Sequence, residues 1–206
     1  MIAIIDYGVG NLFSLRSSLD AIGAESVVTS DVEVIKKSDK IILPGVGAFA
    51  DAAEKLRQTG LDKVIIEQAG LGKQIFGICL GMQLLFEKSY EYGESKGLGL
   101  IKGSVVFMED RIPKDLKIPH IGWNSLRIKR KHPLLKYLNE NDFVYFVHSY
   151  YAIDCDESVI ASTEYGAEIT AAVAYKNVAG AQFHPEKSGD VGLSILKAFC
   201  EWEAGV

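Results

Sequence analysis

Hydrophobic and polar positions in the first half of the chain alternate between short apolar runs and segments with helical spacing. The runs are bounded by glycine, proline or charged residues, which is typical of buried parallel strands. They lie at residues 2–6, 25–29, 40–43 and 74–78. Helical spacing is found at Leu12, Leu15, Leu19 and Ile22 behind a potential cap at Asn11, at about 48–57, at about 61–69, and after Cys79. This alternation predicts a parallel sheet with helices on both faces.

The second half has shorter apolar runs separated by turn residues, which favours antiparallel strands in one mixed sheet with added hairpins. The runs lie at 103–108, 118–128, 143–147, 158–163 and 169–175. A last helix is predicted from about Ser188 to Glu203, with Ser188 or Asp190 as its cap. Residues 1–206 are therefore expected to form one α/β domain, with a mainly parallel mixed sheet, flanking helices and added antiparallel strands.

Composition and charge exclude several functional classes. With 22 basic and 27 acidic residues, the net charge of -5 argues against nucleic-acid binding, and the basic run 127–132 is interpreted as a solvated strand end or loop. No apolar run reaches the roughly 20 residues of a membrane helix, and the N-terminus lacks the features of a signal peptide. Three widely spaced cysteines without a CxxC pair predict no zinc site and a reducing cytoplasm.

The sharpest chemical signal is the segment Gly77-Ile78-Cys79-Leu80-Gly81, which follows a predicted strand and precedes a predicted helix at 82–86. This is the pattern of a strained turn that presents a nucleophile. The following helix would favour the thiolate of Cys79, and the Leu80 amide could face a developing oxyanion. The alternative is a buried cysteine at an ordinary strand–helix junction.

Among four histidines, His184 is the best candidate for a base because it begins His184-Pro185-Glu186 after an apolar strand. A residue before proline is extended, so side chains two apart should project together. Glu186 could then orient the His184 imidazole, which would take the Cys79 proton and return it to a leaving amine. The alternative is a surface pair at a strand end. His120, His132 and His148 are interpreted as ordinary core or surface residues.

A glycine-rich loop, Pro44-Gly45-Val46-Gly47, follows the third predicted strand. Loops at the carboxyl ends of parallel strands share one edge, so this loop should lie beside Cys79. Backbone N–H groups of Val46 and Gly47 are proposed as the second half of an oxyanion hole. The alternative is a phosphate-binding loop, but this loop lacks the Lys-Ser/Thr ending of a P-loop. The segment 8–10 lacks the third glycine of a dinucleotide fingerprint, so no cofactor is expected.

Together these motifs resemble the class I, triad-type glutamine amidotransferases, through GICLGMQ at 77–83 and QFHPEKS at 182–188. Within that class the chain is similar to the glutaminase subunits of imidazole glycerol phosphate synthases over essentially its whole length. The discriminating segments are DYGVGNL at 6–12, PGVGAF at 44–49, GLGLIKG at 97–103, PHIGWN at 119–124 and HSYYA at 148–152. The resemblance implies a flavodoxin-like fold.

The resemblance also implies a reaction and a partner. Cys79 would attack the side-chain amide of glutamine, releasing ammonia and leaving a thioester that water hydrolyses to glutamate. Ammonia would pass through an internal passage to a cyclase subunit with a (β/α)8 barrel, in a heterodimer serving histidine biosynthesis. Because ammonia lost to water is wasted, weak activity of the isolated chain is expected, with residues 44–47 as the mobile element.

Further roles follow from the same resemblance. Gln83, Glu91 and the backbone of Ser149 and Tyr150 resemble groups that hold glutamine, with packing or solubility as the alternative. Trp123 resembles an interface anchor, against a buried core tryptophan. Lys187 resembles a partner contact near the passage, against a solvated lysine.

Three other functions stay open on the sequence alone. The chain could be a glutaminase that serves a different synthase, a cysteine peptidase or another hydrolase with the same elbow. It could also be an interaction domain without activity.

Overall fold

The computed structural model describes residues 1–203. Within that range the strands are β1 (Ile2–Ile5), β2 (Ser26–Thr29), β3 (Lys40–Leu43), β4 (Gln74–Ile78), β5 (Phe86–Ser89), β6 (Ser95–Lys96), β7 (Ile101–Phe107), β8 (His120–Ser125), β9 (Arg127–Ile128), β10 (Phe143–His148), β11 (Tyr150–Ile153), β12 (Val159–Glu164), β13 (Glu168–Tyr175) and β14 (Val178–Ala181). The α-helices are α1 (Leu12–Ala21), α2 (Val32–Lys37), α3 (Phe49–Thr59), α4 (Leu61–Gly70), α5 (Leu80–Leu84) and α6 (Gly189–Glu201). None of these helices is both long enough and apolar enough to cross a membrane.

The main sheet has the strand order β2-β1-β3-β4-β14-β13-β12-β9. Its first five strands are parallel to one another, and the remaining three pair antiparallel. The predicted mixed, mainly parallel sheet is therefore confirmed. Because β1, β3, β4 and β14 run in the same direction, the loops after them meet at one edge of the sheet, where a ligand site is expected.

Helices cover both faces of this sheet, as predicted. Neighbouring residues of one strand point to opposite faces, so Ile41 joins the hydrophobic cluster that contains α2, α3, α4 and α5. Ile42 joins the cluster that contains α1 and α6. Both side chains are fully buried. The apolar runs of β1, β3 and β4 are continuous because these strands are buried on both faces, whereas the edge strand β2 is only partly buried.

The second half departs from the predicted single sheet. Strands β8 and β10 form a separate two-stranded ribbon, and β11, β7, β5 and β6 form a four-stranded sheet. In the ribbon, exposed Ile121 and Trp123 alternate with His120, which is buried. An antiparallel pair can keep one face in solvent, so this ribbon packs on the domain without extending the main sheet.

Two helix predictions also need correction. Helix α2 was not predicted; it is only six residues long, and Asp31 caps it by accepting hydrogen bonds from two backbone amides. The helix after Cys79 spans Leu80–Leu84 and does not reach Phe86, which begins β5. The carbonyls of Leu84 and Phe86 accept hydrogen bonds from residues 98 and 99 at 2.8 and 3.0 Å, and this outside pairing ends the helix.

Candidate active site

The turn around Cys79 is held by close backbone packing. A Cβ at Gly81 would lie 1.8 Å from the Leu43 carbonyl oxygen, and one at Gly77 would lie 2.6 Å from the Gly81 oxygen. Only glycine fits at either position. Cys79 itself has φ 53°, a backbone conformation that costs energy for any residue with a side chain. The spacing of the two glycines therefore has a steric cause, and it brings Cys79 to the edge of the sheet where β4 ends.

His184 and Glu186 form a buried ion-pair contact, with His184 Nδ1 2.8 Å from Glu186 Oε1. Both side chains are at least 95% buried. The extended segment that was predicted for them is wrong beyond His184, because Pro185–Lys187 form a 3₁₀ turn. The turn, and not strand alternation, brings the carboxylate back to the imidazole. Ser188 Oγ donates to the His184 carbonyl at 2.6 Å and holds the turn.

His184 lines the same cavity as Cys79. Its Nε2 is buried and has no hydrogen-bond partner among residues 1–203. Burial by itself would lower the pKa of His184, but the neighbouring Cys79 sulfur and the Glu186 carboxylate outweigh it and raise that pKa. A protonated imidazole beside the Cys79 sulfur is therefore favoured, and a histidine next to a cysteine is the pairing that activates such a nucleophile.

The cavity has a volume of about 360 Å³, which is within the range of small-molecule sites. All seven residues predicted to form the oxyanion hole or to hold glutamine line it, namely Val46, Gly47, Leu80, Gln83, Glu91, Ser149 and Tyr150. Their roles stay predictions. The cavity also has lining residues that the sequence reasoning did not assign to it, namely Tyr92, Pro119, Val147 and His148.

Gln83 and Glu91 are buried polar residues with defined contacts. The Gln83 amide nitrogen donates to the Tyr150 carbonyl at 3.0 Å and to Gln182 Oε1 at 2.9 Å, so only its own Oε1 is left for a ligand. Glu91 Oε2 accepts from the Phe49 amide at 2.6 Å, at the start of α3 where Ala48 provides no side-chain cap. Burial raises the pKa of Glu91.

The loop after β3 is packed at one glycine and open at another. A Cβ at Gly45 would lie 2.8 Å from the Tyr7 hydroxyl and 2.9 Å from the Gly81 amide nitrogen. Gly47 has φ 97° and no atom within 4 Å of such a Cβ, and Val46 is exposed. Tyr7 was missed from the sequence; its hydroxyl donates to the Pro44 carbonyl at 2.8 Å. Burial, with the charge of Cys79, raises the pKa of Tyr7.

Trp123 and Lys187 lie outside the cavity, on one surface. Trp123 is 55% exposed, so the alternative of a buried core tryptophan is wrong. Its ring lies 6.2 Å from that of Tyr145 on the neighbouring strand, and Lys187 Nζ lies 5.8 Å from the same tyrosine ring. Exposed Ile121 and Phe143 belong to the same ribbon. The role of this surface as an interface stays a prediction.

Two further residues were missed as site residues, one beside the sulfur and one in the cavity wall. The Gln182 amide nitrogen lies 3.7 Å from Cys79 Sγ, and buried His148 contacts the carbonyl of Tyr150 at 2.9 Å. Both lie inside motifs of the resemblance, QFHPEKS and HSYYA. Their position next to candidate residues was the one feature of the sequence that could have indicated a role in the site. Neither a burial pattern nor spacing could show which atoms they contact.

Comparison with known proteins shows the family to which the chain belongs. A sequence model of the family described as "Glutamine amidotransferase class-I" matches residues 3–201. The chain is 52% identical over 202 residues to the "Imidazole glycerol phosphate synthase subunit HisH" of Oceanobacillus iheyensis. It is 52% identical over 204 residues to the protein of the same name from Sulfurimonas denitrificans. The matched regions cover 98% of this chain and 98% of each relative.

A solved structure entitled "Structure of PurLQS from Thermotoga maritima" superposes with a TM-score of 0.75 at 21% identity, covering 97% of each chain. At that identity the likeness concerns the fold. The family model and the two relatives decide the membership: the chain belongs to the class I glutamine amidotransferases and, among them, to the family of the HisH subunits of imidazole glycerol phosphate synthase.

Proposed function

We propose that the chain is a glutaminase subunit that hydrolyses glutamine to glutamate and ammonia and delivers the ammonia to a cyclase partner. The observation that carries the proposal is the buried His184–Glu186 pair, whose histidine lines the same cavity as Cys79. A nucleophile, a base and an orienting carboxylate within one site are the parts that acyl transfer requires.

The first half of the reaction forms a thioester. The Cys79 thiolate attacks the side-chain carbonyl carbon of glutamine, and the oxyanion is stabilised by the backbone N–H of Leu80 together with those of Val46 and Gly47. As the C–N bond breaks, His184 gives its Nε2 proton to the leaving nitrogen, which departs as neutral ammonia. Glu186 holds the imidazole in the orientation needed for this transfer.

The second half regenerates the enzyme. Neutral His184 takes a proton from water as its oxygen attacks the thioester carbon, and the C–S bond then breaks. Glutamate leaves, and the thiolate–imidazolium pair is restored. The steps balance: glutamine and water give neutral ammonia and a side-chain carboxylic acid, which releases its proton to solvent and becomes glutamate.

Substrate binding is assigned to the cavity wall. The Glu91 carboxylate is the anion that would face the α-ammonium group of glutamine, while backbone groups of Ser149 and Tyr150 would face its carboxylate. Gln83 would contribute through its remaining Oε1. Support comes from the placement of all four residues on one cavity and from the polarity that an amino acid zwitterion demands.

The partner is proposed to be a (β/α)8 barrel cyclase in a heterodimer, and the assembly would form imidazole glycerol phosphate and the matching carboxamide ribotide in histidine biosynthesis. The names of both relatives describe a subunit of a synthase. Exposed Trp123 with Tyr145 and Lys187 provides an aromatic and cationic surface beside the triad turn. We place the complex in the cytoplasm, in keeping with three free cysteines.

The decisive experiment is a glutaminase assay with Cys79→Ala, measured alone and with the cyclase and its nucleotide ligand. Wild type should hydrolyse glutamine weakly alone and faster with the partner, whereas Cys79→Ala should lose at least about 10⁴-fold in kcat and still bind the partner. Cys200→Ala is the matched control, because Cys200 is a free thiol away from the cavity. Glutamate release by Cys79→Ala would disprove the mechanism.

The surface role of Trp123 is tested separately. Trp123→Ala should weaken partner binding by about 2–4 kcal/mol, as is usual for an aromatic hot spot, without changing the circular dichroism spectrum. Activation only by a different synthase would assign the chain to another pathway, and turnover of peptides in place of glutamine would make it a peptidase.

A further inference from the structure

Two buried histidines have no part in this mechanism. His120 and His148 face each other across β8 and β10 and are only 3% and 5% exposed. His120 Nδ1 lies 3.1 Å from His148 Nε2, and the remaining ring nitrogens contact Asn124 Nδ2 at 3.3 Å and the Tyr150 carbonyl oxygen at 2.9 Å. These contacts connect the ribbon to the wall of the cavity.

The Tyr150 carbonyl sets the direction of every bond in this series. A carbonyl can only accept, so His148 Nδ1 must donate, and Nε2 of the neutral ring must accept from His120 Nδ1–H. His120 Nε2 must then accept from the side-chain amide of Asn124. That amide is oriented independently, since its oxygen accepts from the Ser125 N–H and its nitrogen donates to the Glu164 carbonyl, both at 2.8 Å.

The same carbonyl continues the series toward the sulfur. It also accepts from Gln83 Nε2, whose second hydrogen goes to Gln182 Oε1. Because Gln182 uses its oxygen there, its amide nitrogen faces Cys79 Sγ, 3.7 Å away. An N–H directed at sulfur stabilises a thiolate over a thiol.

We propose that these groups form one directional hydrogen-bond chain that fixes the reactive sulfur and the glutamine-binding wall relative to the β8–β10 ribbon. His148 and Gln182 are its positioning residues. The proposal deepens the proposed function, because it assumes that Cys79 is the nucleophile and that Ser149 and Tyr150 bind glutamine.

The hydrogen-bond chain requires both histidines to be neutral, and their surroundings make them so. Burial lowers the pKa of His120 to about 4 and that of His148 to about 3. A proton on His148 Nε2 would face the Nδ1–H of His120 across 3.1 Å and break the series. Stacking of the His120 ring between Phe146 and Tyr165, at 4.8 and 4.0 Å between ring centroids, keeps it in place.

The consequence is a mechanical link between the surface and the site. Strand β8 carries exposed Trp123 on one face and His120 on the other. A shift of this strand on docking would change the His120–His148 contact first and then the position of the Tyr150 carbonyl. The main effect is expected on glutamine binding, because Tyr150 forms the cavity wall, with a smaller effect on thiolate formation through Gln182.

A spectroscopic experiment tests the hydrogen-bond chain without any assay of activity. Long-range ¹H–¹⁵N correlation spectra at pH 7 should show both His120 and His148 as neutral rings protonated at Nδ1, the tautomer that free histidine adopts less often. Assignment uses His120→Asn and His148→Asn. An Nε2–H tautomer or a charged ring at either position would overturn the proposal, even if glutaminase activity were confirmed.

A pair of variants separates hydrogen bonding from packing. The amide of His148→Asn can replace the Nδ1 donor to Tyr150, whereas the longer His148→Gln places its amide at the Nε2 position and leaves Tyr150 without that donor. We expect KM for glutamine to rise about tenfold in His148→Gln and to change less in His148→Asn, with similar kcat. If the residue only fills space, the smaller asparagine should be the worse variant, and that order would refute the proposal.

The sulfur end is tested by Gln182→Met, which keeps the size but removes the donor. The pH at which iodoacetamide alkylates Cys79 at half its maximal rate should rise, because the thiolate loses a hydrogen bond. Gln68→Met, at a buried glutamine of α4 remote from the cavity, is the control and should leave that pH unchanged. An unchanged pH profile in Gln182→Met would show that Gln182 does not stabilise the thiolate, and would disprove its place in the hydrogen-bond chain.

Discussion

The candidate site has a floor, formed by residues 77–83 and 182–186, and a rim, formed by residues 46–48 and Tyr92. The two differ in what surrounds their backbone. In the floor, a Cβ at Gly77 or Gly81 would overlap with backbone atoms. At the rim, Gly47 faces open space, and Tyr92 is 88% exposed. The floor is therefore held by the packing of the isolated chain. The rim is free to respond to substrate and partner, which suits the proposal that the partner subunit raises the glutaminase activity.

The largest effect that separates the two regions is expected for Gly81→Ala. Its Cβ would lie 1.8 Å from the Leu43 carbonyl oxygen, so we expect a loss of more than about 3 kcal/mol in the free energy of unfolding, measured by urea denaturation. Gly70→Ala, at the exposed end of α4 with open space around it, should be neutral or slightly stabilising. A stable, active Gly81→Ala protein would contradict the steric account of the elbow.

The buried histidines of β8 and β10 should make the fold sensitive to acid. The folded protein keeps His148 neutral, with its pKa lowered to about 3, whereas the unfolded chain takes up the proton below about pH 6.5. The unfolded state thus binds more protons, and stability must fall as the pH falls. Between pH 6.5 and 5 this histidine should contribute a loss of about 2 kcal/mol.

This acid effect is measured as a difference between two proteins. His148→Asn lacks the titrating ring, so its free energy of unfolding should fall less steeply over that range than that of wild type. The buried carboxylate of Glu91 and the ring of His132 titrate in both proteins, and their contributions cancel in the comparison. Equal slopes would mean that His148 is protonated in the folded protein.

At the rim, Gly47→Ala should change activity more than stability. Its φ of 97° is unfavourable for alanine, so the loop would shift and the proposed oxyanion contacts with it, lowering kcat/KM about tenfold or more. Gly72→Ala is matched, since it also has a positive φ and open space but lies after α4. Both variants should lose similar stability, and only Gly47→Ala should lose glutaminase activity with the partner.

The smallest effect is expected at Tyr92, which has φ 54° and little packing. Asparagine tolerates this conformation better than tyrosine, so Tyr92→Asn should raise the free energy of unfolding by about 0.5 kcal/mol. Tyr90→Asn, at a neighbouring residue without a positive φ, should give no gain. A destabilised Tyr92→Asn protein would show that the rim is packed more tightly than its exposure suggests.

Much of the fold could be predicted from residues alone because local patterns decide it. Strands β3 and β4 have the predicted bounds, since each is a continuous apolar run between turn residues. The ribbon of β8 and β10 and the sheet around β7 could not be predicted in the same way. Short antiparallel strands find their partners through contacts distant in sequence, and the alternation of buried and exposed positions does not identify the neighbour.

For the candidate site, the sequence by itself determined which residues come together and little of how they do so. Two local patterns could be recognised in the sequence, namely Gly77, Cys79 and Gly81 at fixed spacing and the segment His184-Pro185-Glu186. Each comes at the end of a parallel strand, and the ends of parallel strands meet at one edge of the sheet. The tertiary structure alone decided that a 3₁₀ turn pairs His184 with Glu186, and that Gln182 and His148 connect Cys79 to Asn124. Hydrogen bonds between side chains from distant strands depend on distances of tenths of an ångström, which only the packed fold defines.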